Sequence, residues 1–186
     1  NPHFLYNTLD TIIWMAEANR NADVIEVVAA LSSFFRLSLS KGRDWITIGE
    51  ELERTRSYLT IQKMRYTDIL DYRIEADPTV LDCTVLKLSL QPLVENALYH
   101  GIKNKRCGGV ITVRALPRGA DEVLLQVADN GIGLTPARLA QIQAGLEDDS
   151  DEIRLERGFG IDNVKKRTRL YYGKGYGLTI ASEYGA

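Results

Sequence analysis

The chain has 186 residues, 45% hydrophobic and 26% charged, which suits one large or two small globular domains and excludes wholesale disorder, collagen-like repeats and a disulfide scaffold. With 23 Lys plus Arg against 25 Asp plus Glu the net charge is −2, so no global positive field points to nucleic acid. Cys83 and Cys107 lack the spacing of a zinc site or a disulfide framework and fit a reducing, cytosolic setting. No apolar run approaches the roughly 18 to 20 residues of a membrane span. The chain starts Asn1-Pro2-His3 without a methionine and reads as a piece of something longer.

In chain order, Leu5, Leu9, Ile12, Ile13 and Ala16 recur at helical spacing and predict a helix over 2–19, capped by Asn1. Val24, Val27, Val28, Leu31, Phe34 and Phe35 predict a second over 23–39, with a short link that makes the pair a hairpin. Lys41 to Asp44 break the pattern. Thr47-x-x-Glu50 then offers a capping box for a third, more charged helix with a broad polar face. From Leu70 the residues alternate as in a strand, ended by Asp77-Pro78, and a domain boundary is expected near Arg65 to Asp68. A helix follows over about 89–103, with Pro92 in its first turn. Strands over 110–115 and 123–129 flank Pro117 to Ala120 as a hairpin. Thr135-Pro136 opens a helix to Gly145, and the acidic stretch 147–152 reads as a surface loop. A helix over 161–172 and a strand over 177–182 close the chain.

Four constellations carry chemistry. Asn96, Tyr99 and Lys103 share the face opposite Leu86, Leu90, Val94 and Ala97, with His100 on its flank and Glu95 next to Asn96. This is either a solvated helix face or a metal and phosphate site, since an amide oxygen suits hard Mg²⁺ and Lys suits phosphate. Asp129-Asn130-Gly131-Ile132-Gly133 follows an apolar strand. It is either a plain turn or the edge of a pocket where a carboxylate accepts from an exocyclic amine. Gly158-Phe159-Gly160 precedes a helix whose free N–H groups suit phosphate, a weak signal by itself. His3 and Asn7 lie four apart on one side of the first helix, so His3 is either simply exposed or an available nucleophile.

In this order, Glu95-Asn96-x-x-x-His100, Asp129-x-Gly131-x-Gly133 and Gly158-x-Gly160 resemble the N-box and glycine boxes of the GHKL, or Bergerat-fold, ATP-binding superfamily. Asn1-Pro-His-Phe-Leu-Tyr-Asn7, Tyr58-x-x-Ile61-Gln62-x-x-Arg65-Tyr66 and Gln91-Pro-Leu-Val-Glu-Asn96 resemble sensor histidine kinases of the LytS/YesM type, so the similarity covers nearly the whole chain. The resemblance implies an α+β fold. Residues 1–66 form a helical dimerisation and histidine phosphotransfer region, and 67–186 a catalytic ATP-binding α/β sandwich with a mixed, largely antiparallel sheet. It makes His3 the phosphoacceptor, Asn96 the Mg²⁺ ligand and Asp129 the adenine-reading carboxylate. Gly131 and Gly133 shape the adenine end, Gly158 and Gly160 the phosphate end, and 146–157 is the lid. His100 and Lys103 become phosphate neighbours, and Glu95 orients water or a metal-bound water.

The implied partners are a second copy of the chain and the receiver domain of a response regulator. The parent is implied to be a plasma-membrane sensor, with this part cytoplasmic and not itself touching the membrane. Two departures stand out. Phe4 occupies the position after the histidine where many histidine kinases carry an acidic residue, and the chain stops before a final Gly-Thr turn and strand. The alternatives are a Bergerat-fold ATPase clamp in which Glu95 activates water, and a nucleotide-binding module without phosphotransfer.

Overall fold

Two helices open the chain, α1 (Pro2–Glu17) and α2 (Asn21–Ser38), joined by a link in which Asn19 takes φ +57°, a left-handed conformation that Asn tolerates better than most residues. The structure is a computed structural model that describes residues 2–39, 43–105, 107–147, 159–173 and 175–185. The expected cap at Asn1, the break at 41–42, Gly158 and nearly all of the acidic stretch and lid lie outside those residues. α1 buries Phe4, Thr8 and Met15, not the stripe that its apolar spacing suggests: Leu9 and Ile13 are exposed. One helix cannot satisfy two apolar faces within one hairpin, so the second remains on the surface.

α3 (Ile48–Arg65) starts with the predicted capping box: the Glu50 amide donates to Thr47 Oγ1 at 3.1 Å, and the Thr47 amide to Glu50 Oε2 at 2.9 Å. Its broad polar face is not solvated. Glu51, Arg54, Thr55, Ser57 and Gln62 are buried along with Leu52, Tyr58, Leu59 and Ile61, because α3 is packed by α2 on one side and by strand and turn on the other. Charged residues at helical spacing read as surface in the sequence, and here they are paired inside.

The strands form two sheets. β1 (Trp45–Thr47) pairs antiparallel with β3 (Thr84–Leu86), two short strands absent from the sequence reading. β2 (Leu70–Ala76) runs parallel to β4 (Gly109–Arg118), and β4 antiparallel to β5 (Glu122–Asp129), giving the order β2-β4-β5. Pro117 and Arg118 belong to β4 and not to the hairpin turn. Pro117 is opposite Val123, and β2 ends at Ala76, opposite Ala115, so the missing proline N–H faces no ladder partner on that side. A 3₁₀ turn (Pro78–Val80) is capped by Asp77.

The helix over 89–103 divides. α4 (Gln91–Asn96) has proline in its first turn as expected, and continues as a π-helical segment, Ala97–Ile102. α5 (Pro136–Glu147) and α6 (Phe159–Tyr172) complete the described elements. Residues 177–182 join no ladder, contrary to the predicted strand. Their polar groups go to side chains and loops instead: Ser182 Oγ accepts from the Leu134 amide at 2.8 Å and the Ile180 carbonyl from Gln143 Nε2 at 3.1 Å. A single core joins Phe4, Phe34 and Tyr58 to Leu90, Val94, Leu98, Ile111 and Val113, and so runs across residues 65–68, where the sequence changes pattern. The described residues form an N-terminal set of helices followed by an α/β part, the α+β arrangement that the resemblance implies.

Candidate functional site

Asp129 ends β5, and its carboxylate is drawn against the π-helical segment. Oδ1 accepts from the Gly131 amide at 2.9 Å, and a Cβ built on Gly101 would lie 2.3 Å from that same oxygen. Asp129 is exposed at its outer edge, yet this crowding desolvates the carboxyl and pushes its pKa above the ordinary value, against the Gly131 hydrogen bond and the Lys105 charge, which favour ionisation. Lys105 is held beside it by donating to the Asn130 carbonyl at 2.5 Å, and Asn130 Oδ1 accepts from the Val110 amide at 2.7 Å. The loop is thus rigid and presents one free carboxylate edge, the arrangement needed to read an exocyclic amine.

Gly133 lies at φ +69°, and a Cβ there would meet the Glu183 carbonyl oxygen at 1.9 Å. Only glycine lets the chain near 183 close over this loop. The Gly185 amide donates to the Ile132 carbonyl at 3.1 Å on the same side.

Asn96 stands at the end of α4. Its Nδ2 is buried without a hydrogen-bond partner among the described residues, and a Cβ on Gly160 would lie 3.5 Å from it. The start of α6 therefore packs on Asn96 and Pro92, putting free N–H groups and the positive helix end beside an unpaired amide. This donor set fits an anion with a hard cation. A phosphate oxygen satisfies the orphaned N–H, and the amide oxygen suits Mg²⁺. Among the described residues no cluster of three His, Cys, Asp or Glu side chains is arranged to hold a metal, so phosphate and water would complete the shell.

Lys165 Nζ donates to the Gly145 carbonyl at 2.9 Å and Arg169 Nη2 to the Leu146 carbonyl at 3.3 Å, so two cations of α6 meet the C-terminal end of α5.

The other predicted residues fall elsewhere. His3 is exposed on α1, and Asn7 Nδ2 lies 3.0 Å from its Nδ1 and 3.1 Å from its Nε2. Phe4, one residue on, is buried with its ring centroid 5.2 Å from those of both Phe34 and Tyr58. His100 is exposed. Lys103 carries its ammonium over the rings of Tyr66 and Tyr99, 5.2 and 5.4 Å from their centroids, a cation–π contact at the end of α3. Glu95 accepts from Gln91 Nε2 at 2.9 Å. Sequence reading missed Gly101 and Lys105. A glycine inside a helical run was the available signal for the first, and nothing local marked the second.

The comparisons with known proteins agree with this geometry. Residues 1–70 match the histidine kinase family model, and 84–186 match that of the histidine kinase-, DNA gyrase B-, and HSP90-like ATPases. Sensor histidine kinase YesM of Bacillus subtilis (strain 168) is 35% identical over 184 residues, 99% of this chain and 30% of that protein. Sensor histidine kinase BtsS of Escherichia coli (strain K12) is 31% identical over 98% of this chain and 29% of its own length. For sensor protein kinase HptS of Staphylococcus aureus (strain USA300) the figures are 31%, 98% and 34%. The chain spans about a third of the length of these relatives. A solved histidine kinase domain, from the blue-light activated histidine kinase of Erythrobacter litoralis EL346, shares the fold at TM-score 0.52 and 19% identity, over 88% of this chain and 70% of that one. With an ATP-binding fold in its second half and a histidine-bearing helical region in its first, the chain belongs to the histidine kinase family.

Proposed function

We propose that this part of the chain is the catalytic core of a two-component sensor kinase. It takes ATP as substrate, moves the γ-phosphoryl group to His3 and passes it to an aspartate of a response-regulator receiver domain. The observation that carries the reading is that residues distant in sequence meet along α4 and the π-helical segment that continues it, the Gly160 end of α6 against Asn96 and Pro92, and Asp129 and Gly131 against Gly101. Asp129 reads the adenine amine, Gly131 and Gly133 shape that end, and Gly158 and Gly160 take the phosphates. Mg²⁺, when bound to Asn96, neutralises charge on the phosphate oxygens.

In the reaction a ring nitrogen of His3 bonds to the γ-phosphorus while the bond to the bridging oxygen breaks. ADP leaves with that electron pair, and the imidazole proton passes to solvent. Asn7 fixes the ring, a contribution of orientation. The division near 66–67 is one of roles, phosphotransfer before it and nucleotide binding after it. Exposed Tyr6, Leu9, Ile13 and Trp14 on α1 with Ile25 and Val28 on α2 supply an apolar face for a second copy. The parent protein is a plasma-membrane sensor whose cytoplasmic part includes this region. Among the described residues no helix is long and apolar enough to cross a membrane.

The test is incubation with Mg²⁺ and γ-labelled ATP, comparing the unmodified chain with His3→Ala. Acid-labile, base-stable label that disappears in the variant is expected. Equal labelling of the two sinks the acceptor assignment.

A further inference from the structure

Gln91 lies in the first turn of α4, one turn ahead of Glu95, and both ends of its amide are engaged. Oε1 accepts from Arg54 Nη1, and Nε2 donates to Glu95 Oε1 at 2.9 Å. Arg54 is itself fixed: its Nε and Nη2 donate to Glu51 at 3.2 and 2.8 Å, and the two side chains are 1% and 0% exposed. Glu51 also accepts from the amides of Leu90 at 3.0 Å and Leu88 at 3.3 Å, the backbone leading into α4, where Leu88 is held at φ +66°. A planar guanidinium pinned along one edge has no freedom to follow Gln91, so Gln91 takes its orientation from Arg54. The Glu95 charge is felt by Tyr58 of α3, where burial first, and then the Tyr99 and Glu95 charges, hold the phenolic proton on.

We propose that Gln91, oriented by Arg54, is a positioning residue that fixes the Glu95 carboxylate beside Asn96, so that α3 sets the geometry of the nucleotide-binding helix. The inference rests on the kinase reading above and deepens it. A carboxylate set by an amide that a buried ion pair holds does not wander between rotamers. The gain belongs to the transition state, where a small misplacement is felt, more than to nucleotide binding.

The experiment uses the full chain with Mg²⁺ and γ-labelled ATP, and two variants. Gln91→Glu retains an acceptor for Arg54 and loses the donor to Glu95. Gln91→Met loses both and adds no charge. The expected result in each is a fall in kcat for His3 labelling of about tenfold or more, with KM for ATP and ADP affinity close to those of the unmodified chain; the thermal midpoint falls in Gln91→Met, which leaves the buried Arg54 Nη1 without its acceptor. Unchanged kcat overturns the proposal. So does a rise in KM together with a lowered thermal midpoint, since that pattern marks a residue that only holds the fold together. Should Gln91→Glu fail to fold, Gln91→Met decides. An unmodified chain that takes no label overturns the kinase reading and this inference with it, whereas a labelled chain with unaffected variants overturns this inference alone.

Discussion

Gly101 and Asp129 are in such close contact that a methyl group on the first would lie 2.3 Å from Oδ1 and 2.9 Å from Cγ of the second. Gly101→Ala therefore has to push the carboxylate off the Gly131 amide. We expect a loss of about 1–3 kcal/mol in stability and weaker adenine-nucleotide binding, measured by urea denaturation and by titration with a fluorescent ADP analogue. Wild-type affinity in the variant would show that the carboxylate does not need this seat.

Asp129→Asn separates stability from binding. Crowding raises the folded-state pKa of Asp129 above the unfolded value of about 4. The folded state thus holds the proton more tightly, and the associated stability is present below about pH 4 and lost as pH rises through the folded value. The variant escapes that loss, so its stability relative to the unmodified chain improves from pH 3.5 to pH 7 in urea titrations. Its nucleotide affinity falls, because the Gly131 amide claims the one oxygen and leaves an NH₂ facing the adenine amine. A variant that loses relative stability over that range would contradict the burial argument.

Asn96→Leu is expected to fold about as well as the unmodified chain, since it removes a buried N–H that has no partner among the described residues. Mg²⁺-dependent ADP binding should disappear with it. Calorimetric titration with and without Mg²⁺ checks both, and retained Mg²⁺ dependence would remove Asn96 from the metal.

Arg54→Met leaves the Glu51 carboxylate charged and buried and should cost about 3–5 kcal/mol. Arg54→Lys, which retains the charge but not the fork, should fall between. Denaturation midpoints decide, and an unaltered midpoint for Arg54→Met would mean that the pair is not buried in solution.

The parts legible in the sequence are those with local causes. The Thr47 capping box, Pro92 in a first turn and the alternation of β2, β4 and β5 each follow from residues a few positions apart. The resemblance of Asn96, Asp129 and Gly160 to a nucleotide pocket depended on their order alone, and the structure adds the contacts of Gly101 and Gly131 that shape it. What escaped was set at long range. Glu51 and Arg54 look like a solvated i, i+3 pair until α4 and the Leu88 turn close over them. Residues 177–182 alternate like a strand but pair with no strand, and bond instead to Leu134 and Gln143.

The burial of Phe4 sets a condition on how His3, the proposed acceptor, can be presented. Adjacent residues on a helix point about 100° apart, so a roll of α1 that carries the imidazole toward the core carries the phenyl ring toward water. Exposing it fully would cost about 1.5–3 kcal/mol, and the tilted rings of Phe34 and Tyr58 would lose their partner. α1 is thereby biased against rotation about its own axis, because Phe4 belongs to the same core that holds Phe34, Tyr58 and the α/β part together.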